Sequence, residues 1–309
     1  MAVFGTAAGR LEKAIYADSV GRGAAFAASC LAPLAVVGTL IDRRTAGRPV
    51  ARIATTALAT WAVVGATSLS REGQAMADRL ERGDLAGARE QLCHLCSRDA
   101  DQLDQPELAR ATVESMAENT ADAAVSSLWW AAVAGVPGML VHRGANTLDA
   151  MIGHHNARYE NFGKAAARFD DIVNWIPARL TAVLAAVCAS TVGGDRAATW
   201  RVVGAQHDHH PSPNGGWCES AWAGALGVQL GGRNLYYGNR VEFRPLLGSG
   251  PRPDAAKVAD AAHLVGTVTA AATGCAMAGL ASVAHVLFYG GIVPRRVGRQ
   301  SRRSLRTPR

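Results

Sequence analysis

Charge is scarce in this sequence. Asp, Glu, Lys and Arg make up 18% of its 309 residues, against roughly 25% in ordinary soluble domains. Aromatics, at 6%, leave little material for stacking bases. The six cysteines (Cys30, Cys93, Cys96, Cys188, Cys218, Cys275) are scattered, three of them in apolar runs, which is not the pattern of a disulfide framework. No secretory signal with a cleavage site is read. There is no GxxxxGK[ST], no GxSxG and no GxGxxG after a strand, so Walker-type nucleotide binding and α/β-hydrolase chemistry find no support. Internal repeats and a β-rich region are also missing.

What charge there is has an uneven distribution. Lys and Arg total 32 against 25 Asp and Glu, a net charge of +7. Seven arginines lie in the last sixteen residues, Pro294 to Arg309, with no acid among them. The remaining body is neutral, so the excess is no footprint of a nucleic-acid partner. Arginines near an anionic leaflet anchor a helix end, at about 1 kcal/mol each. The mean hydropathy is slightly positive, +0.05.

Five apolar runs set the fold class. Gly23 to Ile41 and Ile53 to Ser70 approach the ~20 residues that span a bilayer. Ser126 to Val141, interrupted by Pro137-Gly138, and Leu180 to Gly194 are shorter. Ala261 to Val293 runs for 33 residues without Asp, Glu, Lys or Arg. We expect an all-α polytopic membrane protein with about five apolar segments and long polar, helix-containing loops. One membrane-embedded domain covers 1–294, and 295–309 is a disordered basic tail. Arg71 to Arg98 and Leu103 to Asp122 read as amphipathic helices, the second started by Asp104, Pro106 and Glu107. Thr199 to Asp260, rich in Gly, Pro, Asn and Tyr, reads as loop. The positive-inside rule puts the Arg43 to Arg52 loop and the tail in the cytoplasm. If all five runs crossed, the polar motifs would be split across the membrane, so at least one short run is re-entrant or interior.

Two polar stretches carry candidate chemistry. Arg110, Glu114, Glu118 and Asp122 recur every four residues along one helix face, with Asn119 adjoining. An Arg–Glu ladder alone accounts for that spacing; three carboxylates beside an apolar run also suit a hard cation such as Mg²⁺. Asn146 to Leu180 gathers Asn146, Asp149, Arg158, Arg168, Asp170, Asp171, Asn174 and Arg179. Asp170 and Asn174 share a helical face, and the arginines suit phosphate or carboxylate oxygens. A charged surface with helix caps is the plainer alternative. His207 to His210 precede Pro211-Ser212-Pro213-Asn214-Gly215-Gly216, a turn whose backbone N–H groups suit phosphate. One CxxC and no HxxxH give no zinc signature, and no zinc is expected.

The strings VESMAENTAD, NTLDAMIGHHNARYENFGKAAARFDDIVNWIPARL, HPSPNGGW and GALGVQLGG, in that order, resemble the CobD/CbiB family of cobalamin biosynthesis. The resemblance runs from about Phe4 to about Pro251. It implies a multi-pass inner-membrane ligase, adenosylcobinamide-phosphate synthase. That enzyme joins adenosylcobyric acid to (R)-1-amino-2-propanol O-phosphate, or a related amine phosphate, as an amide, using ATP and Mg²⁺. On that reading Glu114, Glu118, Asp122 and His210 are catalytic candidates. Arg110, Asn119, Asn146, Arg158, Arg168, Arg179, Ser212 and Asn214 bind substrate or phosphate, and Asp149, Asp170, Asp171 and Asn174 hold Mg²⁺. Expected partners are the lipid bilayer, the two substrates and other late corrinoid-assembly enzymes, with no nucleic acid. The alternative is a membrane corrinoid-binding or transport protein without ligase chemistry. Family members usually begin with one more apolar helix, which this chain is expected to lack.

Overall fold

The computed structural model describes residues 2–96, 98–154, 156–236 and 240–289. Helices dominate: α1 (Ala2–Ile15), α2 (Val20–Thr45), α3 (Pro49–Val63), α4 (Ala66–Glu81), α5 (Leu85–Leu92) and α6 (Gln105–Thr120) come first. A π-helical turn, Ala121–Val125, leads into α7 (Ser126–Ile152), followed by α8 (Lys164–Val173), α9 (Trp175–Cys188), α10 (Arg196–Gln206) and α11 (Gly215–Leu226). An antiparallel hairpin, β1 (Leu230–Tyr236) and β2 (Arg240–Leu247), precedes α12 (Ala255–Tyr289). The expected tail at 295–309 lies outside the described residues.

The expected class holds. Among the described residues, five helical segments are long and apolar enough to cross a membrane: Val20–Thr45, Pro49–Glu81, Gln105–Ile152, Trp175–Val192 and Ala255–Ser282. Val36, Leu40, Ile53, Leu58, Trp61, Met277 and Leu280 on them are exposed. Water penalises such a surface, and the chains of a bilayer cover it without cost. The protein core sits elsewhere, around α4, α6, α11 and α12, where Met76, Leu80, Leu108, Met116, Trp222 and Leu264 are fully buried. Helix α6 runs through its middle. Its start follows from Asp104: the side chain accepts from the Glu107 N–H at 3.0 Å, and Glu107 accepts from the Asp104 N–H at 3.3 Å. This reciprocal cap is worth about 1 kcal/mol.

The run from Ser126 to Val141 turns back on itself. Ser126 and His142 both reach the Oδ1 of Asn174, at 2.7 and 2.8 Å, and Asn146 donates to Asp122 at 3.0 Å. In a straight helix, residues 122 and 146 would stand about 36 Å apart. The reversal is at Gly135, whose φ of 62° and ψ of −150° are non-helical. No L-residue adopts that backbone readily, and a Cβ there would meet the Asp42 carboxylate at 2.6 Å. The two limbs thus form a helical hairpin with both open ends at one level, so the polar motifs before and after it meet.

Helix α2 gives the scale. Gly23 lies against the Phe162 carbonyl, next to the open end of the hairpin, and Gly38 lies against Pro137 near its apex. Residues 23 to 42 cover about 28 Å, the thickness of a hydrocarbon core. The Arg43 to Arg52 connection therefore sits at the opposite end of α2 from the polar motifs.

Thr199 to Asp260 departs from the loop expected of it. It holds most of α10, all of α11 and the β-hairpin. Helix α11 is buried on nearly every side, so its sequence shows no amphipathic period to read.

This geometry has a direct test. With the native cysteines replaced, single cysteines at Arg48 and at Lys164 will react with a membrane-impermeant thiol reagent from opposite sides of sealed vesicles, and cysteines at Lys164 and Ser212 from the same side. Labelling of 48 and 164 from one side would overturn the reversal.

Candidate functional site

The four-residue ladder on α6 divides into two functions. Arg110 and Glu114 pair as the spacing suggests, at 3.0 Å, but both are buried, at 3% and 1% exposure, and neither lines the acidic cavity that Glu118 and Asp122 reach. Glu114 also receives Arg98 Nη2 at 2.6 Å and the Gly231 N–H at 2.7 Å. Arg110 continues to the Asn234 side-chain oxygen and the Arg233 carbonyl, both at 2.8 Å. These bonds join α6 to β1. The structure thus places Glu114 and Arg110 in a structural joint, apart from the catalytic and phosphate-binding parts expected of them.

Glu118 and Asp122, one and two turns further on, line a cavity of about 490 Å³. Asp149, Asp170, Asp171, Asn174, His210, Ser212, Asn214 and Gly215 line it too. Asp122 sits within the π turn, a register shift common at functional sites. It is oriented by Asn146, which is itself held by Arg143 at 3.0 Å. Asp170 is held through one oxygen, Oδ2, by the Asn174 amide at 3.0 Å. Its other oxygen, Oδ1, is buried without a hydrogen-bond partner. Burial, with the neighbouring Asp122 and Asp149 carboxylates, pushes the pKa of Asp170 up to about 9. Asn174 lends its own oxygen to Ser126 and His142; the geometry makes it a support for Asp170 and leaves no oxygen free to ligate a metal.

Glu118, His210 and the fully buried Glu219 behind them bring one ligand atom each within 4.8 Å of one another. A guanidinium already stands among them. Arg244 of β2 lies 3.2 Å from Glu219, 3.1 Å from His210 Nε2 and 3.8 Å from Glu118. The Ser212 N–H reaches His210 Nδ1 at 3.1 Å, so both ring nitrogens are engaged. Burial works against the charged imidazole, yet the hydrogen bond and charge of Glu219, with Glu118, hold its pKa raised. Glu118 is the open member, its side chain 37% exposed. Gly215 leaves the room: a Cβ there would stand 2.8 Å from Glu118 Oε1 and 2.9 Å from the His210 ring.

The remaining candidates scatter. Ser212 accepts from the Gly215 N–H at 3.0 Å, fixing the turn into α11. Asn214 bridges the Asp171 carbonyl and Arg179, whose guanidinium lies 4.0 Å over Trp175. Asn119 bonds back to Ser115. Arg158 lies away from the cavity, on Glu12 at 3.0 Å and over Tyr16. Arg168 lines a smaller adjoining cavity. Sequence reasoning missed Arg244, Glu219 and Cys218. Glu219 carried one signal, an acid inside the apolar GGWCESAW segment; Arg244 carried none. Burial, together with Asp122, Glu118 and Glu219, pushes the Cys218 thiol well up, so it is no thiolate nucleophile at neutral pH.

Two measurements check these assignments. Glu114→Ala leaves two buried guanidiniums uncompensated, a loss of about 3–5 kcal/mol, and will lower the melting temperature in detergent steeply. Asp170 is raised above its unfolded value, so its contribution is complete below about pH 4 and is lost as pH rises toward 9. Asp170→Asn, measured with chelator present, will therefore melt progressively higher than wild type between pH 5 and 9, by the approximate range that shift defines. A pH-independent difference would refute the placement.

A family model described as CobD/Cbib protein matches residues 1–265. Cobalamin biosynthesis protein CobD of Mycobacterium tuberculosis is 47% identical over 260 residues, 84% of this chain and 81% of the relative. The protein of the same name in Chromobacterium violaceum is 40% identical over 271 residues, 85% and 84% of the two chains. That of Geobacter metallireducens is 43% identical over 205 residues, 66% and 64%. No solved structure matches. Matched by that model over residues 1–265 and 47% identical to such a relative over 84% of its length, the chain belongs to the CobD/CbiB family of cobalamin biosynthesis proteins.

Proposed function

We propose that the cavity joins the free propionate carboxyl of adenosylcobyric acid to (R)-1-amino-2-propanol O-phosphate, or a related amine phosphate, as an amide at the expense of ATP. The observation that carries this reading is the convergence of Glu118, Asp122, Asp149, Asp170 and Asp171 on one cavity at the open end of the helical hairpin. A carboxylate is a poor electrophile. Transfer of the ATP γ-phosphoryl group to it gives an acyl phosphate and ADP. The amine then forms the C–N bond, the C–O bond to phosphate breaks, and inorganic phosphate leaves.

The amine arrives as an ammonium and must lose a proton before it attacks. Glu118 is the base that the geometry favours, because its carboxylate faces the cavity while His210 is committed at both nitrogens. Asp122, Asp149 and Asp170 are hard oxygen donors, and the unpartnered Asp170 Oδ1 fits a cation. Mg²⁺ held there would neutralise triphosphate charge. Arg244 balances Glu219 and Glu118 and keeps the second wall from repelling an anionic substrate. Use of ATP implies that the cavity opens to the cytoplasm, from a protein embedded in the cell membrane.

In membranes supplied with both substrates, ATP and Mg²⁺, Glu118→Gln will lower amide formation by about 100-fold or more, the usual worth of a positioned base, and Asp170→Ala will abolish it, while both variants still insert. ADP release in the wild type will require the acid, with full turnover requiring the amine. Undiminished turnover in both variants would sink the assignment.

A further inference from the structure

The cavity has a second arm, and this one carries cations. A smaller space of about 170 Å³ adjoins it, sharing Gly153, His154, Ala167, Asp171, Pro211 and Pro213 as walls. Lys164 and Arg168 are its cations, Glu160 and Asp171 its acids, and His154 stands at its wall. Glu160 is itself engaged. Arg168 acts on Asp171 only through its field, holding down a carboxyl that burial pushes up.

Lys164 and Arg168 are four residues apart on α8, so they stand on the same face. Neither forms an ion pair among the described residues. This sets them apart from Arg158 and Arg179, which are tied to Glu12 and to Asn214. Two like charges at that spacing repel each other, and an anion between them removes the repulsion. The arm is therefore a pre-set site for a small anion. It opens directly onto the acidic chamber, which attracts a cation. A ligand that satisfies both must carry the two charges on one short skeleton.

We infer that the Lys164–Arg168 arm, with His154 at its wall, takes the phosphomonoester of the small amine substrate and so points the amine into the acidic chamber toward Glu118. The inference rests on the ligase reading for the identity of the amine, but its subsite can be tested without turnover. ATP phosphates are assigned to the other chamber. Discrimination between phosphorylated and free amino-alcohol then resides in two exposed side chains of α8.

The test uses the full chain in phosphatidylcholine nanodiscs and the double variant Lys164→Ala/Arg168→Ala. Binding of 1-amino-2-propanol O-phosphate and of unphosphorylated 1-amino-2-propanol is measured by calorimetry without ATP. The variant will bind the phosphorylated amine about tenfold more weakly or worse, the worth of one charge-assisted contact. Its affinity for the free amine and its KM for ATP will stay within about twofold. Unchanged affinity for the phosphorylated amine overturns the inference. A rise confined to the KM for ATP overturns it in favour of a nucleotide site, and a loss confined to retention on phosphatidylglycerol vesicles in favour of a lipid contact. If the wild type binds the phosphorylated amine in this arm yet forms no amide, the ligase reading fails and the subsite stands.

Discussion

Glu114 has almost no contact with water, and two guanidinium groups and a backbone N–H converge on it. A carboxylate so buried survives only while every partner is in place. The partners come from Arg98, from α6 itself and from β1, so one charge cluster fixes three parts of the chain together. Through Arg110, Asn234 and the Arg233 carbonyl it sets the hairpin on α6. The hairpin then decides where β2 lies, and β2 carries Arg244 to Glu219, His210 and Glu118. The wall of the cavity is thus positioned from a joint that takes no part in it. Loss of that joint would reach the site indirectly, by releasing Arg244 and leaving the buried Glu219 carboxylate with only the His210 imidazole beside it.

The scarcity of charge acquires a structural meaning here. A chain facing lipid on many helices cannot scatter ionic groups, since each unpaired charge in hydrocarbon costs several kcal/mol or moves to the surface (about 2.5–3.5 on insertion scales). The acids collect instead where the helical hairpin opens. Its reversal at Gly135 brings Asp122 and Asn146 together, and Ser126 and His142 onto Asn174. Asn174 in turn holds one oxygen of Asp170 and leaves the other facing inward. The reversal explains why motifs on both sides of an apolar run share one site.

The class was readable from five apolar runs, and the start of α6 from Asp104, Pro106 and Glu107. The cavity acids were also readable, as candidates, from their spacing and company. What spacing could not do was tell Glu114 from Glu118. Both are glutamates on the same helical face, and their difference lies in long-range partners: Gly231 for one, Arg244 for the other. Arg158 looked like Arg168 for the same reason, until α1 and the residue that follows it placed Glu12 and Tyr16 beside it. Helix α11 escaped notice because burial on all sides erases periodicity, and because Gly-rich sequence on either side reads as loop.

Orientation is where local charge and architecture part company. The Arg43, Arg44, Arg48 and Arg52 cluster suggests a cytoplasmic loop by the positive-inside rule. Yet this loop lies at the opposite end of α2 from the cavity, because Gly23 abuts Phe162 and Asp42 abuts Gly135. Under the proposed use of ATP, the arginine loop stands on the far side from the cytoplasm. The rule counts basic residues near the ends of spans on both sides and gives little weight to acids. The cavity end carries its own: Arg71, Arg79, Arg82, Arg89 and Arg98 before α6, Arg143 on the second limb of the hairpin, and Arg158, Lys164, Arg168 and Arg179 after it. Their acidic neighbours hide them in a net-charge reading but do not cancel them in this count. The bias read from one short loop is thus opposed by the basic residues at the cavity end.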